Sequence, residues 1–256
     1  MFPFLMQPNL LEAVNQMQAT TQRMPQVQEN ISPMVEPAQQ DLTIDTKKLE
    51  ENESNKQKFY VPFDSKEIVP TPLVKRGGEK AVLGESGVSI VRGFDLGQIK
   101  TPERLDSILN RIPDETMRST LRQQFLPFLG LKKEDAVQAL KEQTALGNTK
   151  IDLRAMKPLN DAVLAQYKDD TADRYFNATG FNMGLLEPNA QEVLFEIHYQ
   201  TLDPDKSSKH INVAPFNRIA SALSIGDTKE AIKQIKAHPQ YKKYRTRWNK
   251  YIRDLQ

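Results

Sequence analysis

The sequence predicts an α+β protein with a small β-containing lobe, a larger helical lobe, a cleft between the two, and an extended N-terminal tail in front. Three observations carry this. Residues 59–98 are rich in Val, Pro and Gly, with short apolar runs bounded by turn residues such as Gly77-Gly78 and Gly84, the pattern of strands and loops. From Thr101 onward, helix-start signals and apolar residues at three- and four-residue spacing take over. Before Phe59 the chain is polar and punctuated by prolines.

The tail is taken as residues 1–58. Leu10, Leu11, Val14, Met17 and Met24 lie among Gln, Asn and Thr, so residues 8–24 are weakly amphipathic and suit a short helix. Pro25, Pro33 and Pro37 follow, then the polar run DTKKLEENESNKQK. Burial of so few apolar groups does not offset the entropy of ordering such a stretch, which leaves it a flexible extension or a segment that orders on a partner. Residues 59–256 make the second unit, long enough to bury a core of their own.

Within that unit the helices announce themselves in order. Thr101-Pro102-Glu103 reads as an N-cap, a proline at the first helical position and an acid in the first turn. Asp114 caps a second helix, and Lys133 to Gln143 forms a third. Residues 158–177 predict a longer helix with Leu159, Val163, Leu164 and Tyr167 on one side. Pro188 opens a segment whose Val193, Leu194, Phe195 and Ile197 leave little polar face, as in a central buried helix. Pro215, Asp227 and Pro239 mark three further starts. In the last helix Tyr241, Tyr244, Trp248 and Tyr251 recur at helical spacing and form its buried stripe, so they are core rings and not a stacking platform.

Composition narrows the chemistry. The chain has no cysteine, which removes disulfides, thiol nucleophiles and zinc–thiolate sites. His198, His210 and His238 show no metal-ligand spacing, so neither a metal nor a cofactor is expected. No stretch is long and apolar enough for a transmembrane helix, and MFPFLM lacks the basic flank of a secretory signal. Net charge is +2. The final helix nevertheless carries Lys242, Lys243, Arg245, Arg247, Lys250 and Arg253 against Asp254, a face that is either simply solvated or drawn to an anionic polymer. Nucleic-acid binding would rest on that helix alone and is not expected.

The segment with chemical content is Gly87 to Gln98, GVSIVRGFDLGQ. Val88 and Ile90 point one way along a short strand, Ser89 and Val91 the other. Asp95 lies between Phe94 and Leu96, with Gly93 and Gly97 close on either side. An acid between apolar anchors on a glycine-permitted backbone is a positioned acid, or else an aspartate that satisfies turn amides. Ser89, six residues earlier, is spaced to share one wall of a cleft with it. Arg92 places a long cation beside this pair, where it could bind substrate or pair with Asp95 and lower its pKa.

GVSIVRGFDLGQ resembles the signature of the phage-type lysozyme superfamily, and within it the pesticin-like muramidase branch, which reads approximately GVTIGYGFDLGQ. Two looser likenesses accompany it over residues 59–256: AQEVLFEIHYQ resembles the central helix Q-x-V-x-F-x-x-x-x-Q, and YKKYRTRWNKYIRDL a closing basic helix of the Y-x-x-R-R type. The resemblance implies a lysozyme-like fold acting on peptidoglycan glycan strands. It puts the catalytic aspartate on Asp95 and the catalytic threonine on Ser89; Arg92 and Gln98, in the same segment, are candidate substrate-binding side chains. It also implies a general acid about two dozen residues before Ser89. Glu67 fits best, ahead of Glu79 and Glu85. An inverting glycosidase needs this pair: a protonated carboxyl for the leaving oxygen, and a carboxylate about 6.5–9.5 Å away to activate water. Glu67 would be the acid, Asp95 the base, and Ser89 would hold the water.

The chain departs from the pattern in three places. Ser89 keeps the hydroxyl of threonine without its methyl, Val91-Arg92 stands in place of Gly-Tyr, and Glu67 is followed by Ile68 rather than glycine. The implied function is a muramidase cutting between N-acetylmuramic acid and N-acetylglucosamine. The alternatives are an inactive lysozyme-fold protein that binds wall glycan or builds a phage particle, and a lytic transglycosylase, which needs one Glu and no paired Asp. The implied setting is a phage virion, with residues 1–58 docked on virion proteins, or the host cytoplasm before release. In both cases the target is the periplasmic cell wall.

Overall fold

Sheet and helices in this chain are joined by aromatic side chains. The structure, a computed structural model, describes residues 42–47, 49, 55–62, 86–201 and 212–256. The helix expected at residues 8–24, and Glu67, Glu79 and Glu85, lie outside the described residues. Three short antiparallel strands pair in the order β1 (Lys56–Tyr60), β2 (Ser89–Val91) and β3 (Phe94–Asp95). Phe59 of β1 packs edge-on against Phe125 at 5.9 Å and against Phe128 at 5.1 Å, and Phe94 of β3 meets Phe125 at 6.2 Å. These rings fasten the sheet to the end of α2 (Glu115–Phe125) and the single turn Leu126–Phe128 that follows it. Val88, Ser89, Ile90 and Val91 are all buried, so β2 is covered on both faces.

The helices are capped by local chemistry. The Thr101 hydroxyl accepts from the Arg104 amide at the start of α1 (Pro102–Leu109), and the Asp114 carboxylate from Met117 N at 2.9 Å in front of α2. Next come α3 (Lys133–Ala145) and α4 (Leu153–Thr179), 27 residues long and closed by Gly180 in the left-handed conformation. α5 (Pro188–Thr201) lies against α4, α6 (Val213–Ser224) and α8 (Tyr241–Asp254), and α7 (Thr228–Ala237) packs against α6 and α8. The starts expected at Pro215 and Pro239 fall near the real ones, with Pro215 in the first turn of α6 and Pro239 just before the Gln240 cap of α8. The stripe on α8 is internal as expected: Trp248 and Tyr251 are buried, and Tyr244 stacks on Trp248 at 5.6 Å.

One hydrophobic core runs through the described residues, from Phe59 and Ile90 of the sheet to Trp248 and Ile252 of α8. It also takes in Ile44 and Leu49, both buried, within the segment that composition assigns to the tail. Two apolar side chains among many polar ones vanish in an averaged composition but still find the core. β1 likewise begins at Lys56, ahead of the Phe59 boundary.

Candidate active site

Asp95 ends β3 and caps the single 3₁₀ turn Leu96–Gln98. Its Oδ1 accepts from Gly97 N at 2.9 Å and Gly87 N at 3.0 Å. Its Oδ2 has only longer contacts, from Gly87 N and from Gln98 Nε2, each at 3.3 Å. Oδ1 is therefore saturated by amides, and Oδ2 is the oxygen with capacity to take a proton. Burial pushes the Asp95 carboxyl above its ordinary value, while the Gln98, Gly87 and Gly97 hydrogen bonds and the charge of Lys132 pull it back. Arg92 is not among its partners, so the pairing considered from sequence does not form. Arg92 lies at the hairpin tip, and its carbonyl accepts the Tyr199 hydroxyl at 2.6 Å.

Two glycines make the carboxylate's seat. A Cβ on Gly87 would come within 2.4 Å of Leu131 O and 2.5 Å of the Gly97 Cα, and one on Gly97 within 2.5 Å of the same oxygen. Only a bare backbone at both positions lets the two amides converge on Asp95. The segment that wedges between them is tied down by Gly130 N donating to Leu96 O and Lys133 N to Ser86 O, and it leads directly into α3.

Ser89 faces Asp95 directly in the β2–β3 register, and Ile90 faces Phe94. Opposed residues on an antiparallel pair share one face of the sheet, with Cβ atoms about 5 Å apart. Ser89 and Asp95 therefore project from one face of the hairpin, with Ser89 buried. The turn between them is Val91-Arg92-Gly93, with Val91 at φ 47° and Gly93 at φ 81°. A β-branched residue in left-handed backbone carries strain of roughly 1–2 kcal/mol. This is the position where the pesticin-like pattern has glycine. Here the conformation is held by burial of the Val91 side chain and by the Tyr199 tether on the next residue.

Sequence reasoning thus brings Ser89, Asp95 and Gln98 together, with Arg92 at the adjoining tip. Gln98 turns its amide N–H to Asp95 and its Oε1 to Lys132 Nζ at 3.2 Å, so its side chain is engaged in holding the carboxylate. Lys132 and Tyr199 were not found from sequence. Lys132 reaches the site from the loop before α3 and Tyr199 from α5, and nothing in their immediate neighbours signals either.

No curated protein matches the chain. A family model does, that of pesticin, described as a bacterial toxin homologue of phage lysozyme, C-terminal part. It matches over residues 43–211, about two thirds of the chain. The matched stretch holds all three strands, the Ser89–Asp95 pair and helices α1 to α5, and stops before α6. The chain belongs to the pesticin family, and so to the lysozyme-like, muramidase-type peptidoglycan hydrolases.

Proposed function

We propose that the protein is an inverting muramidase that hydrolyses the β-1,4 bond between N-acetylmuramic acid and N-acetylglucosamine. The observation that carries this is the register of β2 with β3, which sets the Ser89 hydroxyl beside a carboxylate with one oxygen held and one available. In the reaction, water sits between Ser89 and Asp95 Oδ2. Asp95 takes its proton as the hydroxyl attacks the anomeric carbon, and a carboxyl across the sugar protonates the departing oxygen. We assign that acid to Glu67 on the family's chain order. The cleft that admits the glycan between sheet and helices is part of the same proposal.

The test is turbidity loss and reducing-end release on purified peptidoglycan. Asp95→Asn is expected to lower turnover by about 10²- to 10⁴-fold, and Glu67→Gln comparably. Activity surviving in Asp95→Asn would remove the base from the mechanism, and activity surviving in Glu67→Gln would move the acid to Glu79 or Glu85.

One observation favours a second reading. The Asp95 carboxylate does everything required of an aspartate that merely satisfies turn amides. A wild-type protein that binds sacculi without releasing reducing ends would be a lysozyme fold retained for wall binding or as a part of a phage particle.

A further inference from the structure

Gln98 is an amide with two unlike ends, and only one of them suits a carboxylate. Its N–H donates to Asp95 Oδ2, whereas its oxygen, if rotated into the same place, would repel it. Lys132 decides which end faces in. An ammonium has only donors, so it accepts nothing from the amide N–H and binds the Oε1, as it does at 3.2 Å. The lysine lies 34 residues beyond Gln98, yet its backbone is built into the site. Leu131 O packs between Gly87 and Gly97, Lys133 N bonds Ser86 O, and Lys133 itself sits at φ 51°. An unbranched residue is held in strained backbone next to the ammonium that this loop delivers.

We propose that Lys132 is a positioning residue for Asp95: its ammonium fixes the direction of the Gln98 amide, and through that amide holds the carboxylate ionised and aimed at the attacking water. The reactive step rests on the muramidase reading given above; the electrostatic relay does not. Among the described residues Lys132 is the one charged group that acts on Asp95; the neutral amides of Gly87, Gly97 and Gln98 bond it, and Ser89 lies opposite in the hairpin register. Removal of the cation therefore acts on the carboxylate in one direction, making its proton harder to lose.

The test uses the full-length protein in two parallel measurements, ¹³C NMR titration of the Asp95 carboxyl and the pH dependence of kcat on peptidoglycan. Lys132→Met is expected to raise the Asp95 midpoint by about half a unit to one unit. It should also move the acid limb of the kcat profile upward by the same amount, with KM little changed. Lys132→Arg, which keeps the donors and the charge, is expected to restore most of both. An Asp95 midpoint that stays in place in Lys132→Met overturns the proposal, as does a Lys132→Arg variant no better than Lys132→Met. Should the wild type prove inert on peptidoglycan while the midpoint still moves in Lys132→Met and returns in Lys132→Arg, the relay stands and the muramidase reading falls.

Discussion

His198 on α5 is wholly buried, and its hydrogen bonds assign its proton. The Thr171 hydroxyl donates to Tyr167 O at 2.6 Å, which leaves its lone pairs for His198 Nδ1, also at 2.6 Å. The proton is therefore on Nδ1, and Nε2 is bare, without a hydrogen-bond partner. Burial, then the charges of Arg174 and Arg104, push the ring down to about 3, and His238 is pushed down to about 4 by burial and Arg218. Unfolded histidine takes up a proton near 6.5, whereas the folded rings decline it. Stability is thus complete above 6.5 and is lost as pH falls from there towards 3. The loss is about 1.4 kcal/mol per unit for each ring, or roughly 3 kcal/mol from His198 by pH 4.5. Asp95 acts in the opposite sense, since its raised carboxyl favours the fold at low pH and loses that contribution as pH rises through its value. Thermal unfolding of wild type should fall steeply between pH 6.5 and 4.5, and less steeply in His198→Asn. Parallel curves for the two proteins would refute the assignment. Of the site's residues, Ser89 and Asp95 were legible because the motif sets them six apart on one hairpin. Lys132 was not, because its place depends on a carbonyl wedged between two glycines far upstream.

At the scale of elements, α5 combines an apolar run with buried Gln191, Glu192, Glu196, His198 and Thr201. The apolar run made a central helix legible, but the partners of the polar set come from elsewhere in the chain. Gln191 accepts from Thr43 N at 2.9 Å and donates to Leu186 O at 2.8 Å. Glu196 is paired with Arg247 of α8 and accepts from the Tyr251 hydroxyl at 3.2 Å. Arg247, which sequence placed on a basic outer face, is thus turned inward with 14% of its side chain exposed. Removing one member of such a pair strands the other charge. Arg247→Met should cost about 3–5 kcal/mol in urea unfolding, and much of that should return when Glu196→Gln is added. A loss below about 1 kcal/mol would mean that the pair is dispensable. The helix starts at Thr101, Asp114 and Asp227 were legible for the opposite reason, as each cap bonds an amide three residues on.

The chain divides into two units, Met1–Ala38 and Gln39–Gln256. We propose that the segment ahead of the unit Gln39–Gln256 docks on a phage particle, a role that suits a virion-borne lysin better than a free one. Deletion of residues 1–58 also removes Ile44, Leu49 and most of β1, so the informative deletion is of residues 1–38, ahead of the unit Gln39–Gln256. That shortened protein should still cleave peptidoglycan but no longer enter particles, and undiminished incorporation would dismiss the docking role. Composition could not place this boundary, because two buried apolar residues do not lift the average of a polar run.

The pairing of Glu196 with Arg247 bears on how little of this chain can stand alone. The match to the family model ends at residue 211, yet a carboxylate in the matched helix α5 is paired from residue 247. A gene trimmed to the matched stretch would make a polypeptide without the Arg247 partner of a buried carboxylate and with the α5 surfaces that receive α6 and α8 open to water. The helices α6 and α8 pack on α5, which lies inside the matched stretch, so the matched stretch and the folding unit do not end at the same residue.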